Sequence, residues 1–241
     1  MHFRKLILSM VLNVEHFLKV KLNNDISNNA SENGYSIVEK FFSDSNNSYI
    51  LKIISRSSQS NYSGELINKY IIEKTTPVNG INIPTQCPYW VLFEVLSFGE
   101  FIKFYNFYYD TYSKPNPAKN LLFPIKCLRN AGAHNNCILN MLPKALHKDF
   151  KTNKELSSII SKSMDITPDS RRNCLSVPVL HDFAALCIVF NMVVTSEPVK
   201  SHTRKEFEGF MERIDKNAEY HAKNAEIRKM KTFFNKLLDN F

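Results

Sequence analysis

Between Leu128 and Asn135 the chain reads Leu-Arg-Asn-Ala-Gly-Ala-His-Asn, which sets a permanent cation, an amide and an imidazole within one short segment. That set of groups suits a phosphodiester. Cleaving RNA without a metal needs a base for the 2′-hydroxyl proton, an acid for the leaving oxygen, and positive charge where the pentavalent phosphorane gathers negative charge. His134 is the candidate base or acid. Arg129 is the candidate phosphate clamp, because its planar fork can hold two oxygens at once. Asn130 or Asn135 could orient the imidazole or a nonbridging oxygen, and Lys126 adds charge one turn earlier. From Phe101 to His134 there are five basic residues and one acid, a favourable field for a polyanion. On an ideal helix, five residues at about 100° each put Arg129 and His134 roughly 140° apart. They would straddle a groove, unless distortion near Gly132 narrows the angle. The same residues also fit a plainer helix, with surface charges or a core histidine satisfied by hydrogen bonds.

Other candidates flank this segment. Phe101, Phe104, Tyr105, Phe107, Tyr108 and Tyr109 crowd one stretch together with Lys103 and Asn106. Aromatic rings stack on unpaired bases while cations track phosphates, and Lys103 and Tyr109 are the members expected to touch RNA. Core packing accounts for the others. Lys144, His147, Lys148 and Lys151 form a second basic cluster, with Lys144 and Lys148 the candidates to extend an RNA groove or line a solvated face.

Composition limits the alternatives. The 241 residues carry 31 Lys plus Arg against 23 Asp plus Glu, a net charge of +8 that favours a polyanionic partner over acidic small molecules. No apolar run approaches the roughly 18 residues a membrane span needs. Leu6 to Leu12 follows Arg4 and Lys5 as in a signal peptide, but no small-residue cleavage site comes after it. A cytoplasmic setting is expected. The five cysteines are widely spaced, without a Cys-x-x-Cys pair, and read as small buried groups. Cys137 three residues after His134 cannot fill a tetrahedral site. Neither metal nor cofactor is expected.

The elements that must position these groups are punctuated by proline. All ten prolines lie between Pro77 and Pro198, leaving both ends free for long helices. Leu6, Met10, Val14, Phe17 and Leu18 recur at spacings of three and four, which predicts a helix over Phe3 to Leu22 that opens at the first residue without a cap. Asn23 to Asn33 and Ser43 to Ser48 read as loops around a short helix at Tyr35 to Phe42. Gly64 to Lys74 reads as helix, and Tyr49 to Ile54 as either helix or strand. Pro88 opens one long helix to about Tyr109, with Gly99 marking a close helix contact. Ile125 to about Asn140 follows, then helices near Asn153 to Ser163 and over Val179 to Val194. Thr203 and Glu206 have capping-box spacing at the head of a final helical region reaching about Leu238. The expected architecture is all-α, a single domain over residues 1–241 built as a bundle of six or so helices, with Asn-rich loops between about 23 and 63.

Arg129-Asn130 followed by Ala133-His134-Asn135 resembles the Arg-Asn-x-x-Ala-His motif of Abi-like proteins, the bacterial abortive-infection family within the HEPN superfamily. Pro88-Tyr89-Trp90 with Glu94 and Ser97-Phe98-Gly99 is similar to that family's Pro-x-Trp helix ending in Glu-x-x-Ser-Phe-Gly. Val14-Glu15-His16 resembles its first helix. The resemblance covers about Phe3 to Asn140. It implies a HEPN-like helical bundle, commonly a homodimer, in which the Arg-x4-His motifs of two protomers line a shared cleft. It also implies a metal-independent endoribonuclease acting as an antiphage toxin, with Arg129 and His134 catalytic and Asn130 supporting. Glu15 and Glu94 match acidic family positions, either in buried helix pairing or in chemistry. The chain departs from the family in lacking the usual upstream segment and in its Asn-rich insertions. The alternative is a non-catalytic RNA-binding or scaffold protein of the same fold, bound to a regulatory RNA. Inhibition by an RNA also fits the basic surface.

Overall fold

The first apolar stripe sets the longest helix. In the computed structural model, which describes residues 1–78, 80–143 and 149–241, helix α1 runs His2–Ser27. Leu6, Met10, Val14 and Leu18 are buried as their spacing demands, while Phe3, Ile7 and Val11 widen the stripe and Phe17 lies half-buried at its edge. The loop expected from Asn23 does not begin there. Leu22 and Ile26 carry the buried stripe another turn, and that burial outweighs the weak helix preference of the Asn and Asp residues between them.

The chain gathers into two compact units, residues 18–116 in one and residues 1–17 with 117–241 in the other. In the first come α2 (Ser36–Ser43), α3 (Tyr49–Ser55) and α4 (Gly64–Ile67), which continues as a π-helical turn, Asn68–Ile72. The segment open to either helix or strand is thus helical, because Ile50 and Ile54, four apart, are both buried. A hairpin that sequence periodicity did not reveal follows, β1 (Thr75–Val78) against β2 (Ile81–Pro84), antiparallel with Thr75 opposite Pro84 and Val78 opposite Ile81. Gly80, at φ +77°, supplies the backbone conformation such a turn requires.

The single helix expected from Pro88 to Tyr109 is two, α5 (Tyr89–Val95) and α6 (Phe98–Thr111). Leu96 is extended (φ −80°, ψ 138°), and Ser97 starts α6 with a capping box. Its hydroxyl accepts the Glu100 N–H at 3.4 Å, and the Glu100 carboxylate accepts the Ser97 N–H at 2.9 Å. The aromatic run on α6 faces inward: Phe101, Phe104, Tyr105, Tyr108 and Tyr109 are buried. The last two clamp the end of α1, where the Tyr108 hydroxyl donates to the Asp25 carbonyl at 2.6 Å and the Tyr109 hydroxyl donates to the Asp25 carboxylate.

The second unit holds α7 (Leu122–Ala133), α8 (Lys154–Ser163), α9 (Pro168–Leu175), α10 (Pro178–Val193), α11 (Glu197–Lys216), α12 (Ala218–His221) and α13 (Ala225–Asp239). Its centre is α10, buried almost throughout from Val179 to Phe190 and packed along α7. Phe3, Phe183, Phe207 and Phe234 share a cluster, with the Phe183 and Phe234 ring centroids 4.5 Å apart. The capping box expected at Thr203 does not form. Glu197 and Pro198 already open α11, proline serving in its first turn, so Thr203 lies buried inside the helix. Among the described residues the hairpin is the only sheet, and the fold is all-α. No single helix among them is long and apolar enough to cross a membrane.

Candidate functional site

Helix α7 presents Leu122, Pro124, Ile125, Leu128 and Gly132 to the interior. That buried face leaves Phe123, Lys126, Asn130 and His134, spaced three, four and four apart, as an outward stripe, with Arg129 at its half-buried edge. The helix does not reach Asn140. His134 is its C-cap, and its N–H donates to the Asn130 carbonyl at 2.9 Å. Asn135 then takes a left-handed φ of +60°, and the N–H groups of Asn135 and Asn136 bond back to the Gly132 and Ala131 carbonyls at 3.3 and 3.0 Å. This is the Schellman arrangement, with Asn in the position where glycine is commonest. It holds His134 at the C-cap with its side chain exposed to solvent.

The Arg129 guanidinium donates from Nη1 to Asn130 Oδ1 at 3.3 Å, its one hydrogen bond among the described residues, and a guanidinium carries five donors in all, enough to meet an anion as well. Asn130 touches both Arg129 and His134, by its side chain and by its carbonyl, across a span of about one and a half turns. Lys126 extends the stripe, its ammonium 5.7 Å from the Phe123 ring centroid. These cations offset the partial negative charge at a helix C-terminus, where an anion is otherwise unfavourable.

Gly132 brings α1 against this turn. A Cβ there would lie 3.2 Å from Leu8 Cδ2 and 3.7 Å from Arg4 Cγ. Arg4, which no sequence motif singled out, then lines a cavity of about 270 Å³ together with Asn135, Asn136 and Cys137. Its charge becomes relevant only through packing.

The other candidates separate from this group. Lys103 and Tyr109 belong to the 18–116 unit. Lys103 is engaged with Tyr49, donating to its hydroxyl and lying 4.8 Å from its ring centroid. Tyr109 is 1% exposed, so its ring is not offered to a base, because α6 turns it inward onto Asp25. Glu94 is exposed on α5, which removes the buried helix-pairing role, while Glu15 is half-buried on α1. Lys144 and Lys148 lie outside the described residues. The cysteines do not all read as buried: Cys127 and Cys137 are exposed.

A second polar group sits beside the stripe. Cys127, His181 and Asp182 border one cavity of about 340 Å³ together with Phe123 and Phe150. A thiol, an imidazole and a carboxylate in one cavity suggest a cysteine nucleophile, but the hydrogen bonds rule against it. The Asn153 N–H donates to His181 Nε2 at 3.1 Å, so the ring proton sits on Nδ1 and is donated to Asp182 Oδ1 at 2.8 Å. No ring nitrogen is left to deprotonate the thiol. Burial and the Asp182 charge also push the Cys127 thiol above its ordinary value, although Lys126 opposes this. Among the described residues no three His, Cys, Asp or Glu side chains group as metal ligands.

The family model described as Abi-like protein matches residues 1–140, more than half of the chain. The chain belongs to the Abi-like family. The matched segment contains α1, α5, α6 and the whole of α7, and so includes Arg129, Asn130 and His134. No curated protein and no solved structure matches it.

Proposed function

We propose that the protein is a metal-independent RNA endonuclease of the HEPN type that acts as an abortive-infection toxin in antiphage defence. The observation that carries this reading is the C-terminal end of α7, where Arg129, held on Asn130, precedes the solvent-exposed His134 by five residues on a cationic surface. Membership of the Abi-like family supports the link to abortive infection.

In this reading Arg129 and Lys126 receive the phosphate, with Arg4 adding charge from α1. His134 accepts the 2′-hydroxyl proton as that oxygen attacks phosphorus. The bond from phosphorus to the 5′-oxygen breaks, leaving a 2′,3′-cyclic phosphate and, once protonated, a 5′-hydroxyl. Arg129 stabilises the charge on the nonbridging oxygens. The protonating acid comes from a second copy: a two-fold dimer sets two motifs across one cleft and supplies a second His134.

The test incubates purified wild-type and His134→Ala protein with total RNA and a chelator, then maps the ends. Cyclic phosphate ends from the wild type alone, with RNA binding kept by the variant, are the expected result. Equal cleavage by both proteins overturns the assignment. Binding without cleavage by either makes the protein an RNA-binding scaffold. Light scattering of the full chain tests the dimer.

A further inference from the structure

We propose that the cavity between Phe123, Phe150, His181 and Asp182 is a pocket for one nucleobase, guanine in particular, of the RNA strand lying on the α7 stripe. This rests on the RNA reading above and names a specificity-determining feature for it. Three observations carry it. The first is an aromatic ring left in water, Phe123, which is 65% exposed at the cavity edge beside a lysine. Rings so placed stack on unpaired bases. The second is a further pair of rings bordering the cavity, Phe150 and His181, which meet edge-on at 5.1 Å. The cavity, about 340 Å³, is therefore bordered by Phe123, Phe150 and the His181 ring.

The third is the polarity of its floor. His181 is satisfied at both nitrogens, and the Asp182 carboxylate, its side chain 15% exposed, is the anionic acceptor bordering the space. Guanine presents two adjacent donors, N1–H and the 2-amino group, that pair with the two oxygens of a carboxylate. Adenine and cytosine each set a ring acceptor beside their amino donor, and uracil flanks its N–H with carbonyls, so each meets the carboxylate with repulsion. Along α7, Cys127 at the cavity precedes Asn130 by three residues and His134 by seven, about 4.5 and 10.5 Å of helix. A base seated there belongs to a nucleotide flanking the phosphate held by Arg129.

The experiment titrates GMP, AMP, CMP and UMP into full-length wild-type and His134→Ala protein, neither of which need cleave anything. GMP is expected to bind about tenfold or more tightly than the others in both, with Phe123→Ala weakening all four by about tenfold. Asp182→Asn should bring GMP to the level of the rest. Cys127→Phe, which fills the cavity from an exposed position, should abolish binding with the thermal transition retained. No saturable binding, or binding indifferent to Asp182→Asn and Cys127→Phe, overturns the pocket. A guanine preference in a protein that cleaves no RNA keeps the pocket and removes the nuclease. Cleavage whose sites ignore guanine and do not shift in Asp182→Asn removes the pocket and keeps the nuclease.

Discussion

Arg129 donates from Nη1 to Oδ1 of Asn130 at 3.3 Å, and that one contact sets where the guanidinium stands relative to the helix end. An isolated arginine on a helix surface samples many rotamers. Tied to its neighbour, it loses less freedom when a phosphate arrives.

Replacing Arg129 by Lys keeps the charge and removes the fork. Initial rates of RNA cleavage should fall about 100-fold or more, as for other losses of transition-state charge stabilisation, while Asn130→Ala falls by less. Both variants should melt within about 2 °C of wild type, since both positions are only half-buried.

The left-handed backbone at Asn135 makes a separate prediction. Asn135→Gly should be neutral or slightly stabilising and keep activity, because glycine adopts φ +60° without steric cost. Asn135→Val should cost about 1–2 kcal/mol and lower cleavage, by disturbing the cap that fixes His134. Denaturant melts and cleavage rates on the same preparations check both.

The Asp182 carboxyl is raised from its ordinary value of 3.8, since burial outweighs the hydrogen bond that His181 donates to it. A raised carboxyl stabilises the fold fully below its unfolded pKa, and that contribution is lost as pH rises through the folded value. Asp182→Asn, whose amide oxygen still accepts the His181 proton, should therefore melt higher than wild type at neutral pH, by about 2–4 °C per kcal/mol gained. The gap should close as pH falls toward 3.8. A gap that widens on acidification would contradict the burial argument.

Asp25 behaves in the opposite sense. Burial pushes its carboxyl up, but hydrogen bonds from Lys21 and Tyr109, with the charges of Lys21 and Lys114, bring it below 3.8. Stability from such a group is present above the unfolded pKa and lost as pH falls through the folded one. Tyr109→Phe removes one of the two side-chain donors and should cost about 1.5–3 kcal/mol at neutral pH, with a smaller difference below 3.8. Melting curves across the acid range measure it.

Ser97→Ala tests the break between α5 and α6. Losing the hydroxyl that accepts the Glu100 N–H should cost about 1 kcal/mol, read as a lower denaturant midpoint with an unchanged slope.

By itself the sequence determined which residues are candidates for chemistry and which faces are apolar. Arg129, Asn130 and His134 are neighbours in the chain, and the stripe through Leu6, Met10, Val14 and Leu18 repeats with the helix, so both are local properties that spacing reveals. The helices expected near Asn153 to Ser163 and over Val179 to Val194 likewise stand as α8 and α10, whereas α9 was not expected. Where a helix stops was less legible, because Ser97-x-x-Glu100 and the asparagine at 135 are signals of one or two residues inside longer apolar runs. Only the tertiary structure decided which aromatic rings turn inward and what surrounds the motif. Tyr109 is buried because Asp25, 84 residues away, accepts its hydroxyl. Arg4 shares a cavity with Asn135 because Gly132 lets two helices meet, and Phe123 shares one with His181 because α7 packs along α10. Contacts between residues far apart in the chain have no period, so no pattern along one strand of sequence encodes them.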